Sequence, residues 1–564
     1  MRIGIDVGGT HSDGVLLDGK TIVAAAKTST DHQNLLASII KLLQVLLTGQ
    51  DVARIRTINL STTLTTNAIV TNKLSPVAVL VTGGPGIDPE NYRIGTRFEI
   101  IPGSLNHVGS ETCSLDEETL TQKVADCLAA GIRHFALIGK FSPRNTAHEE
   151  QMRQVVSQHD VAISCGHMLS GRLNFGRRIN TTYFNAAVQT LAQNFADTLA
   201  NSLAHFGLNQ AEVNILKADG GTLPLKRALE LPVQSIFSGP AASVMGILAS
   251  TELAGDILML DIGGTTTDIA LFAAGQPLLE REGIDIGGHA TLVRALRVHS
   301  IGIGGDSLLH VDALGVHCGP QRIGPCMAAG GPAPTLMDAL NILGKAAFGE
   351  VERSFAGMTT LAAKYNLTEG ALAEAALASA VHTIKTAAET LIYEVNSKPV
   401  YTIHEILTER VIKPDKLVLI GGPAPVFQQI LADAMGMETF CPPLASVSNA
   451  IGAALSRSTG SLHIQVDTSR GRLTAPTLNL VQKIPRSCSL DTSIENAKSL
   501  LLEDLNAAGI HYNEEDIQVI QADSFNMVEQ GYTMGKNMRV SVQVRPAVLA
   551  QVAMAKDAQV VFAA

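Results

Sequence analysis

The feature that most constrains the fold of this chain is a phrase that occurs twice. It reads Asp6-Val7-Gly8-Gly9-Thr10 near the start and Asp261-Ile262-Gly263-Gly264-Thr265 near the middle. Apolar residues flank both copies, and Asp13 aligns with Asp268. An apolar run, an Asp, a Gly-Gly-Thr turn and a second apolar run predict a β-hairpin of two buried strands. Two such hairpins predict an internal duplication with a ligand cleft between the copies.

The residues of the two turns are suited to binding a polyphosphate. Glycines adopt positive φ and carry no side chain, so backbone N–H groups can approach an anion closely. Threonine hydroxyls add donors, and an Asp at a strand end can hold Mg²⁺ through its water shell. One copy alone would fit an ordinary tight hairpin equally well, whereas two strand-framed copies favour phosphate binding. The predicted phosphate-binding residues are Gly8, Gly9, Thr10, Gly263, Gly264, Thr265 and Thr266, and the predicted Mg²⁺ ligands are Asp6 and Asp261.

A third glycine-rich strand end lies at residues 417–427, with the sequence LVLIGGPAPVF. A buried strand that ends in Gly421-Gly422 lets a flat ring or a ribose lie against bare backbone. This signal is weak alone, and it becomes strong as the third glycine-rich strand end in order along the chain.

Composition argues against several classes of function. With 46% hydrophobic and 17% charged residues, the 564-residue chain can form large cores in several domains. A formal net charge of −10 argues against nucleic acid or an anionic membrane as the main ligand. Seven scattered cysteines without a CxxC favour reduced thiols. Together with the lack of a signal-like N-terminus or a long apolar run, they predict a cytoplasmic protein without a membrane span.

The periodicity of apolar residues predicts an α/β protein of three units, 1–178, 179–456 and 457–564. The first two are lobes that each contain one hairpin, and the third is a small α/β unit. Among the predicted elements are helices over 178–206, 367–394, 445–454 and 493–507 and a strand over 538–544.

The order of the motifs resembles the actin, sugar-kinase and Hsp70 ATPase superfamily. Within it, residues 1–455 resemble the hydantoinase/oxoprolinase family of ATP-dependent A subunits. The matching segments are DxGGTFTD at 6–13, TTxxTNA at 62–68, FSxxNxxHE at 141–149, TTxxNAxV at 181–188, SGPA at 238–241, DIGGTTTD at 261–268, GAGGGS at 302–307 and GPxPTxxDA at 331–339.

The resemblance implies duplicated ribonuclease H-like lobes with a nucleotide cleft between them, and ATP and Mg²⁺ as cofactors. It implies that Gly421 and Gly422 admit the adenosine and that Gly304 and Gly305 join the nucleotide site. Asp6, Asp261 and Asp268 are the expected catalytic residues, although the sequence does not separate their roles. The expected substrate residues of the cleft, which would otherwise form a plain capped turn, are Thr62, Thr63, Thr66 and Asn67.

Three features depart from the family pattern. His11 replaces an aromatic residue and lies opposite Thr266 of the second copy, so the second copy, with more hydroxyls, is expected to grip the transferred phosphate. Asp306 stands where the family usually has glycine. Residues 457–564 match no part of the pattern.

The resemblance implies an ATP-dependent amidohydrolase component that phosphorylates a cyclic amide, such as a hydantoin, 5-oxoproline or a related lactam. A hydrolytic B-type subunit would come from another polypeptide, and an oligomer is expected. The alternatives are an ATP-driven activator or chaperone-like switch for a partner protein, and a small-molecule kinase. The chain contains no Gly-x-Ser-x-Gly elbow and no HExxH, so it lacks the parts of a self-contained serine or zinc hydrolase.

A cluster of histidines and aspartates in residues 289–317 raises the alternative of a metal site. The spacing matches no ligand signature, which favours ordinary loop and core residues. The cluster consists of His289, His299, Asp306, His310, Asp312 and His317.

Overall fold

The structure, a computed structural model, describes residues 1–31, 34–280, 282–397, 411–529, 532–554 and 560–563. Within these residues the chain forms two central sheets, a sheet inserted into the first lobe, a C-terminal sheet and two short ribbons. This is the mixed α/β architecture that the sequence predicts.

The elements of the first half follow one another in three groups. The first lobe opens with β1 (Arg2–Val7), β2 (His11–Asp18), β3 (Thr21–Ser29), α1 (Leu35–Leu47), β4 (Thr57–Thr62) and α2 (Leu64–Val70). The inserted unit contains β5 (Val77–Gly83), β6 (Arg97–Leu105), β7 (Glu111–Cys113), α3 (Glu117–Ala129), β8 (His134–Gly139), α4 (Ala147–Val156), β9 (Ala162–Cys165) and α5 (Gly166–Leu169). The first lobe resumes with α6 (Phe175–His205), β10 (Glu212–Leu216), β11 (Thr222–Pro224), α7 (Leu225–Glu230) and α8 (Ser238–Ser250).

The second half also divides into three groups. The second lobe contains β12 (Ile257–Ile262), β13 (Thr267–Ala273), β14 (Gln276–Pro277), β15 (Asp285–Ile286), β16 (His289–Ala290), β17 (Val298–Ile301), β18 (Leu309–Asp312), β19 (Gly315–Cys318), α9 (Leu336–Ile342), α10 (Val351–Lys364), α11 (Glu369–Asn396), β20 (Lys416–Ile420), α12 (Ala424–Met435), β21 (Glu438–Phe440) and α13 (Ser448–Leu455). The C-terminal unit contains β22 (Ser461–Asp467), β23 (Arg472–Ala475), β24 (Leu480–Lys483), α14 (Leu490–Ala507), β25 (Ile517–Glu529) and β26 (Tyr532–Val544). The last described elements are β27 (Ala553–Met554) and β28 (Val560–Ala563).

The two central sheets are built on the same pattern. β1 and β2 form an antiparallel hairpin in which Asp6 pairs with Asp13, and β4 pairs with β1 in parallel. β12 and β13 form the equivalent hairpin, in which Asp261 pairs with Asp268, and β20 pairs with β12 in parallel. The predicted pair of hairpins is therefore confirmed, down to the register of the aligned aspartates.

The first sheet gathers strands that are far apart in the sequence. Its order is β11-β10-β4-β1-β2-β3, and both β27 and β28 pair with β3 in parallel. A division between residues 178 and 179 falls inside α6, and the strands that follow this helix complete the first sheet. The division proposed from the sequence therefore does not follow the sheets, because periodicity along the chain does not reveal which earlier sheet a later strand joins.

The inserted and C-terminal units each have a core of their own. The inserted sheet runs β7-β6-β5-β8-β9, and the C-terminal sheet runs β24-β23-β22-β26-β25 with α14 packed on it. α14 begins before the predicted residue 493 because the Ser489 side chain caps it by accepting the N–H of Thr492. The predicted strand over 538–544 is the second half of β26.

Two helices pack against each other between the central sheets. α8 shares a core with the second sheet through Met245 and Ile247, whereas α13 shares a core with the first sheet through Ile451. They approach so closely that a Cβ on Gly452 would lie 2.1 Å from the carbonyl oxygen of Ala242. α13 approaches β1 just as closely, since a Cβ on Gly4 would lie 2.2 Å from the carbonyl oxygen of Ala450. Glycine at these contacts brings the two lobes together.

We expect Gly452→Ala to lower the apparent Tm by roughly 2–10 °C, because the added methyl overpacks the contact between α8 and α13 at a cost of about 1–3 kcal/mol. Gly370→Ala in α11 is the matched control, since a Cβ at Gly370 meets no atom within 4 Å. The control should hold or raise the Tm, because alanine is the better helix former. Equal effects of the two substitutions, measured by differential scanning fluorimetry, would contradict this account.

Candidate functional site

The turns of the two hairpins meet face to face. The Thr10 and Thr265 hydroxyl oxygens lie 3.1 Å apart and share a hydrogen bond. Each turn is closed by an equivalent backbone bond, from Gly8 N–H to the His11 carbonyl (3.1 Å) and from Gly263 N–H to the Thr266 carbonyl (2.9 Å). The structure thus brings together the two halves of the site that the repeated phrase predicts.

Open space surrounds the tip of the first turn. Gly9 is exposed, and a Cβ there would meet no atom within 4 Å. Thr266 at the second turn is also exposed. Exposed backbone N–H groups and hydroxyls at two neighbouring turns are the kind of donors that bind anions.

The third glycine-rich strand end lies beside the second hairpin. Gly421 directly follows β20, whose Ile420 pairs with Asp261. Its φ of +98° suits glycine, and a Cβ there would lie 2.1 Å from the carbonyl oxygen of Ile262. The next residue, Gly422, is exposed with no atom within 4 Å of its Cβ position. Gly421 and Gly422 therefore present bare backbone at the same edge of the sheet as the second turn, as the sequence predicts.

The loop over 302–307 packs directly on the second turn. Gly305 N–H donates to the carbonyl of Gly263 (3.0 Å), and Asp306 N–H donates to the carbonyl of Gly264 (2.7 Å). A Cβ on Gly304 would lie 2.6 Å from Gly264, so only glycine fits there. The structure therefore places Gly304 and Gly305 as a support for the second turn.

An asparagine links the leading aspartates of the two hairpins. Asn449, at the start of α13, donates its side-chain N–H groups to Asp6 Oδ2 (3.3 Å) and Asp261 Oδ2 (3.2 Å). Ser243 of α8 also donates to Asp261 Oδ2 at 2.5 Å. Asp6 Oδ1 is buried and has no hydrogen-bond partner among the described residues. The two helices between the lobes thus hold both carboxylates in place and leave one oxygen free to take a ligand.

Burial makes these carboxylates hard to ionise. It raises the pKa of Asp6 to about 7, with the charges of Asp13 and Asp261 adding to the rise and the nearby Ser61 hydroxyl and Asn449 amide opposing it. Burial likewise raises the pKa of Asp261, against hydrogen bonds from Ser243 and Asn449. Carboxylates with raised pKa values in a cleft are typical of catalytic and cation-binding sites.

The second aspartate of each hairpin has a partner of its own. Lys27 Nζ lies 2.6 Å from Asp13 Oδ1 and also donates to the carbonyl of Ser446. Asp268 accepts a hydrogen bond from the Ser300 hydroxyl. Burial and nearby Asp261 raise the pKa of Asp268 to about 7. Thus the first copy neutralises this carboxylate with a lysine, whereas the second does not.

The predicted substrate residues lie at the carboxyl end of β4, next to the first hairpin. The Thr63 hydroxyl donates to the Val7 carbonyl (3.3 Å), and Asn67 donates to the Thr63 hydroxyl (3.2 Å). The Thr66 hydroxyl accepts the N–H of Phe237 (3.0 Å), and the N–H of Thr62 donates to Ser238 (3.3 Å). In the structure these groups join β4 to the start of α8, and a contact with substrate stays a prediction.

Sequence reasoning missed four residues that contact the carboxylates. Lys27 is the one cation in the otherwise neutral strand TIVAAAKTS, and Asn449 is an amide in the small-residue segment SNAIGAAL. A polar group in such surroundings is the signal that would have drawn attention to them. Ser243 and Ser300 carry no such signal, since serines are common in helices and at strand ends.

The histidines of residues 289–317 do not converge on a common centre. His310 and His317 pair across β18 and β19 with their rings stacked 5.2 Å apart, and His317 lies 3.0 Å from Asp312. Among the residues that the structure describes, no group of three His, Cys, Asp or Glu side chains is arranged to hold a metal ion. Nor does any helix in the described ranges have the length and apolar character needed to cross a membrane.

Comparison with known proteins shows which family models match the chain. The family model for the hydantoinase/oxoprolinase N-terminal region matches residues 2–160, and the hydantoinase/oxoprolinase model matches residues 178–461. The caprolactamase subunit alpha of Pseudomonas jessenii is 27% identical over 495 residues, 81% of this chain and 70% of that one. The match covers 53% of the length of two other curated relatives and 26–35% of the length of three more.

Two solved structures share the fold. The ATP-dependent caprolactamase from Pseudomonas jessenii has a TM-score of 0.71 at 18% identity, covering 97% of this chain and 88% of that one. The nucleotide-free structure of acetone carboxylase has a TM-score of 0.67 at 17% identity, covering 97% and 87%. These likenesses extend over the C-terminal unit that the sequence motifs leave unmatched.

The raised pKa of Asp6 predicts a dependence of stability on pH. A carboxyl whose pKa rises from 3.8 to about 7 on folding stabilises the fold while protonated, and this stability is lost as the pH rises through 7. In buffer with a chelator, Asp6→Asn should therefore raise the Tm at pH 8 and leave it nearly unchanged at pH 4. Asp18→Asn, at the exposed far end of the same hairpin, is the control. A D6N variant less stable than wild type at pH 8 would contradict the prediction.

Proposed function

The chain belongs to the hydantoinase/oxoprolinase family, and on that premise we propose that it is the ATP-dependent component of an enzyme that opens a cyclic amide. The observation that carries the proposal is the meeting of the two hairpin turns, with the Thr10 and Thr265 hydroxyls 3.1 Å apart and Gly421-Gly422 at the same edge. Two such turns can bind a triphosphate, because both offer backbone N–H groups and hydroxyls, and the phosphate oxygens would replace the hydrogen bond between Thr10 and Thr265.

The residues present fit a bound Mg²⁺. Asp6 and Asp261 would hold it, since Mg²⁺ needs only one or two carboxylates besides water and phosphate oxygens. The buried, unpartnered Oδ1 of Asp6 is one oxygen with no other use among the described residues. The ion would neutralise phosphate charge at the transferring group. Asn449 would keep the two carboxylates at a fixed separation.

The proposed chemistry addresses the resistance of amides to hydrolysis. Resonance makes the amide carbonyl a weak electrophile. Transfer of the γ-phosphoryl group to the amide oxygen, with ADP leaving, removes that resonance and activates the carbon toward water. Such transfer depends on positioning and charge neutralisation more than on a protein nucleophile. We propose that Asp268, which pairs with Asp261 across the second hairpin, orients the acceptor.

The substrate class we propose is a lactam, a hydantoin or 5-oxoproline. It rests on family membership and on likeness to a subunit of a caprolactamase, a protein whose name states that it acts on a lactam. That relative is a subunit, which supports a separate partner polypeptide for the ring-opening step. The hydroxyls and amide of Thr62, Thr63, Thr66 and Asn67 are the groups we propose to line the acceptor side of the cleft.

The test is phosphate release from ATP across a panel of lactams of different ring size, hydantoins and 5-oxoproline. A cyclic amide should stimulate phosphate release when the chain is present. If only a partner protein stimulates release, the chain is an activator of that protein. A stable phosphorylated product without ring opening, even with the partner subunit added, would identify a small-molecule kinase.

Asp261→Asn should lower the stimulated rate by about 100-fold or more, the scale on which preorganised electrostatic groups act in catalysis. Asp312→Asn is the control, because Asp312 is an exposed carboxylate of the same lobe that hydrogen-bonds His317 outside the cleft. Near-wild-type turnover in D261N would remove Asp261 from the proposed role.

A further inference from the structure

An ion pair between Arg322 and Asp306 lies beside the point where the two hairpin turns meet. Arg322 donates from Nε (3.3 Å) and Nη2 (3.2 Å) to Oδ2 of Asp306. The other oxygen of Asp306 accepts the N–H of Cys326 at 3.1 Å. Three donors therefore hold this carboxylate, and the carboxylate in turn fixes the plane of the guanidinium.

The pair borders the second turn and faces the first. A Cβ on Gly264 would lie 2.9 Å from Asp306 Oδ2 and 3.1 Å from Thr10 Oγ1, so both atoms lie close to one point at the tip of the second turn. The charge of Arg322 also reaches the first lobe. Desolvation by the surrounding protein, together with the charges of Lys27 and Arg322, lowers the pKa of His11 to about 4, which keeps that imidazole neutral.

The cleft has few positive charges that could bind a phosphate, and Arg322 is one of them. Carboxylates predominate there, and two of them have cationic partners, Asp13 with Lys27 and Asp306 with Arg322. Lys27 is fixed deep in the first lobe, since its side chain is 12% exposed and also bonds the carbonyl of Ser446. Arg322 is 25% exposed, and its Nη1 has no hydrogen-bond partner in the part of the chain that the structure describes. It can accept an anion without breaking its bonds to Asp306.

We infer that Arg322 binds the terminal phosphoryl group of the nucleotide and that Asp306 positions Arg322 for this contact. The inference rests on the proposed function and adds to it a residue that the repeated motifs do not contain. A guanidinium suits this task because its planar donors match phosphoryl oxygens and its charge is permanent. It also gives a purpose to Asp306, a carboxylate in a loop where the family pattern has bare glycine.

Contact with the terminal phosphate predicts different effects on the binding of ATP and of ADP. A residue that contacts only the γ-phosphate should affect the binding of a non-hydrolysable ATP analogue and leave ADP binding unchanged. A residue that only supports the fold should affect both ligands or the Tm. Binding measured by isothermal titration calorimetry in the presence of Mg²⁺ separates these outcomes without relying on turnover.

We expect Arg322→Gln to weaken binding of the ATP analogue by at least about tenfold and to change ADP binding by less than about twofold, as for loss of a charge-assisted contact to one phosphoryl group. Arg322→Lys should fall between R322Q and wild type, because it keeps the charge and loses the paired donors. Asp306→Asn should weaken analogue binding less than R322Q does and also spare ADP, since it loosens the guanidinium without removing it.

The matched control is Arg227→Gln. Arg227 also pairs with an aspartate, Asp504 at 2.8 Å, at a similar exposure of 32%, and lies away from the hairpins at the contact with the C-terminal unit. R227Q should leave both affinities unchanged. The inference is overturned if R322Q weakens both nucleotides equally, or neither, while wild type binds ATP. If the wild-type chain binds no nucleotide, the proposed function itself fails.

Discussion

The close packing of α8 against α13 is the constraint on which the rest of the structure depends. The two helices pass between the central sheets and touch through backbone, because Gly452 and Gly246 leave no side chain at the contact. This approach sets the distance between the lobes, and hence the distance between Thr10 and Thr265. The same helices carry Ser243 and Asn449, the groups that hydrogen-bond the aspartates. Lobe packing and the arrangement of the carboxylates are thus fixed by one contact.

Sequence alone predicted the local parts of this fold well. The apolar frames around Asp6 and Asp261 defined both hairpins, because an apolar strand, a glycine turn and a second apolar strand have few other solutions. It did not predict how distant strands assemble. The residues of β10 and β28 do not indicate that both strands join the first sheet, because this pairing depends on contacts between segments hundreds of residues apart. The division at residue 178 reflects that limit.

For the candidate site, the motif positions were predictable and their partners were not. The glycines and aspartates can be recognised because their phrase is repeated. Asn449 cannot, because it contacts Asp6 from a helix that lies 443 residues away in the sequence. The two copies also differ in ways that only the structure reveals. Lys27 neutralises Asp13, whereas the partner of Asp268 among the described residues is the Ser300 hydroxyl, and its pKa is near 7. Several buried acids with few cations destabilise a folded protein, and such clusters persist where function requires them.

The return of β27 and β28 to the edge of β3 has a consequence for biosynthesis. Residues 553–554 and 560–563 pair with residues 21–22 and 25–28, so contacts of the first lobe span almost the entire chain. During translation, the edge of β3 stays uncovered until residues 553–554 and 560–563 have left the ribosome. An uncovered strand edge is prone to pair with other chains. The nascent protein therefore carries an open β-edge until these residues are made, and a variant truncated before residue 553 would keep that edge.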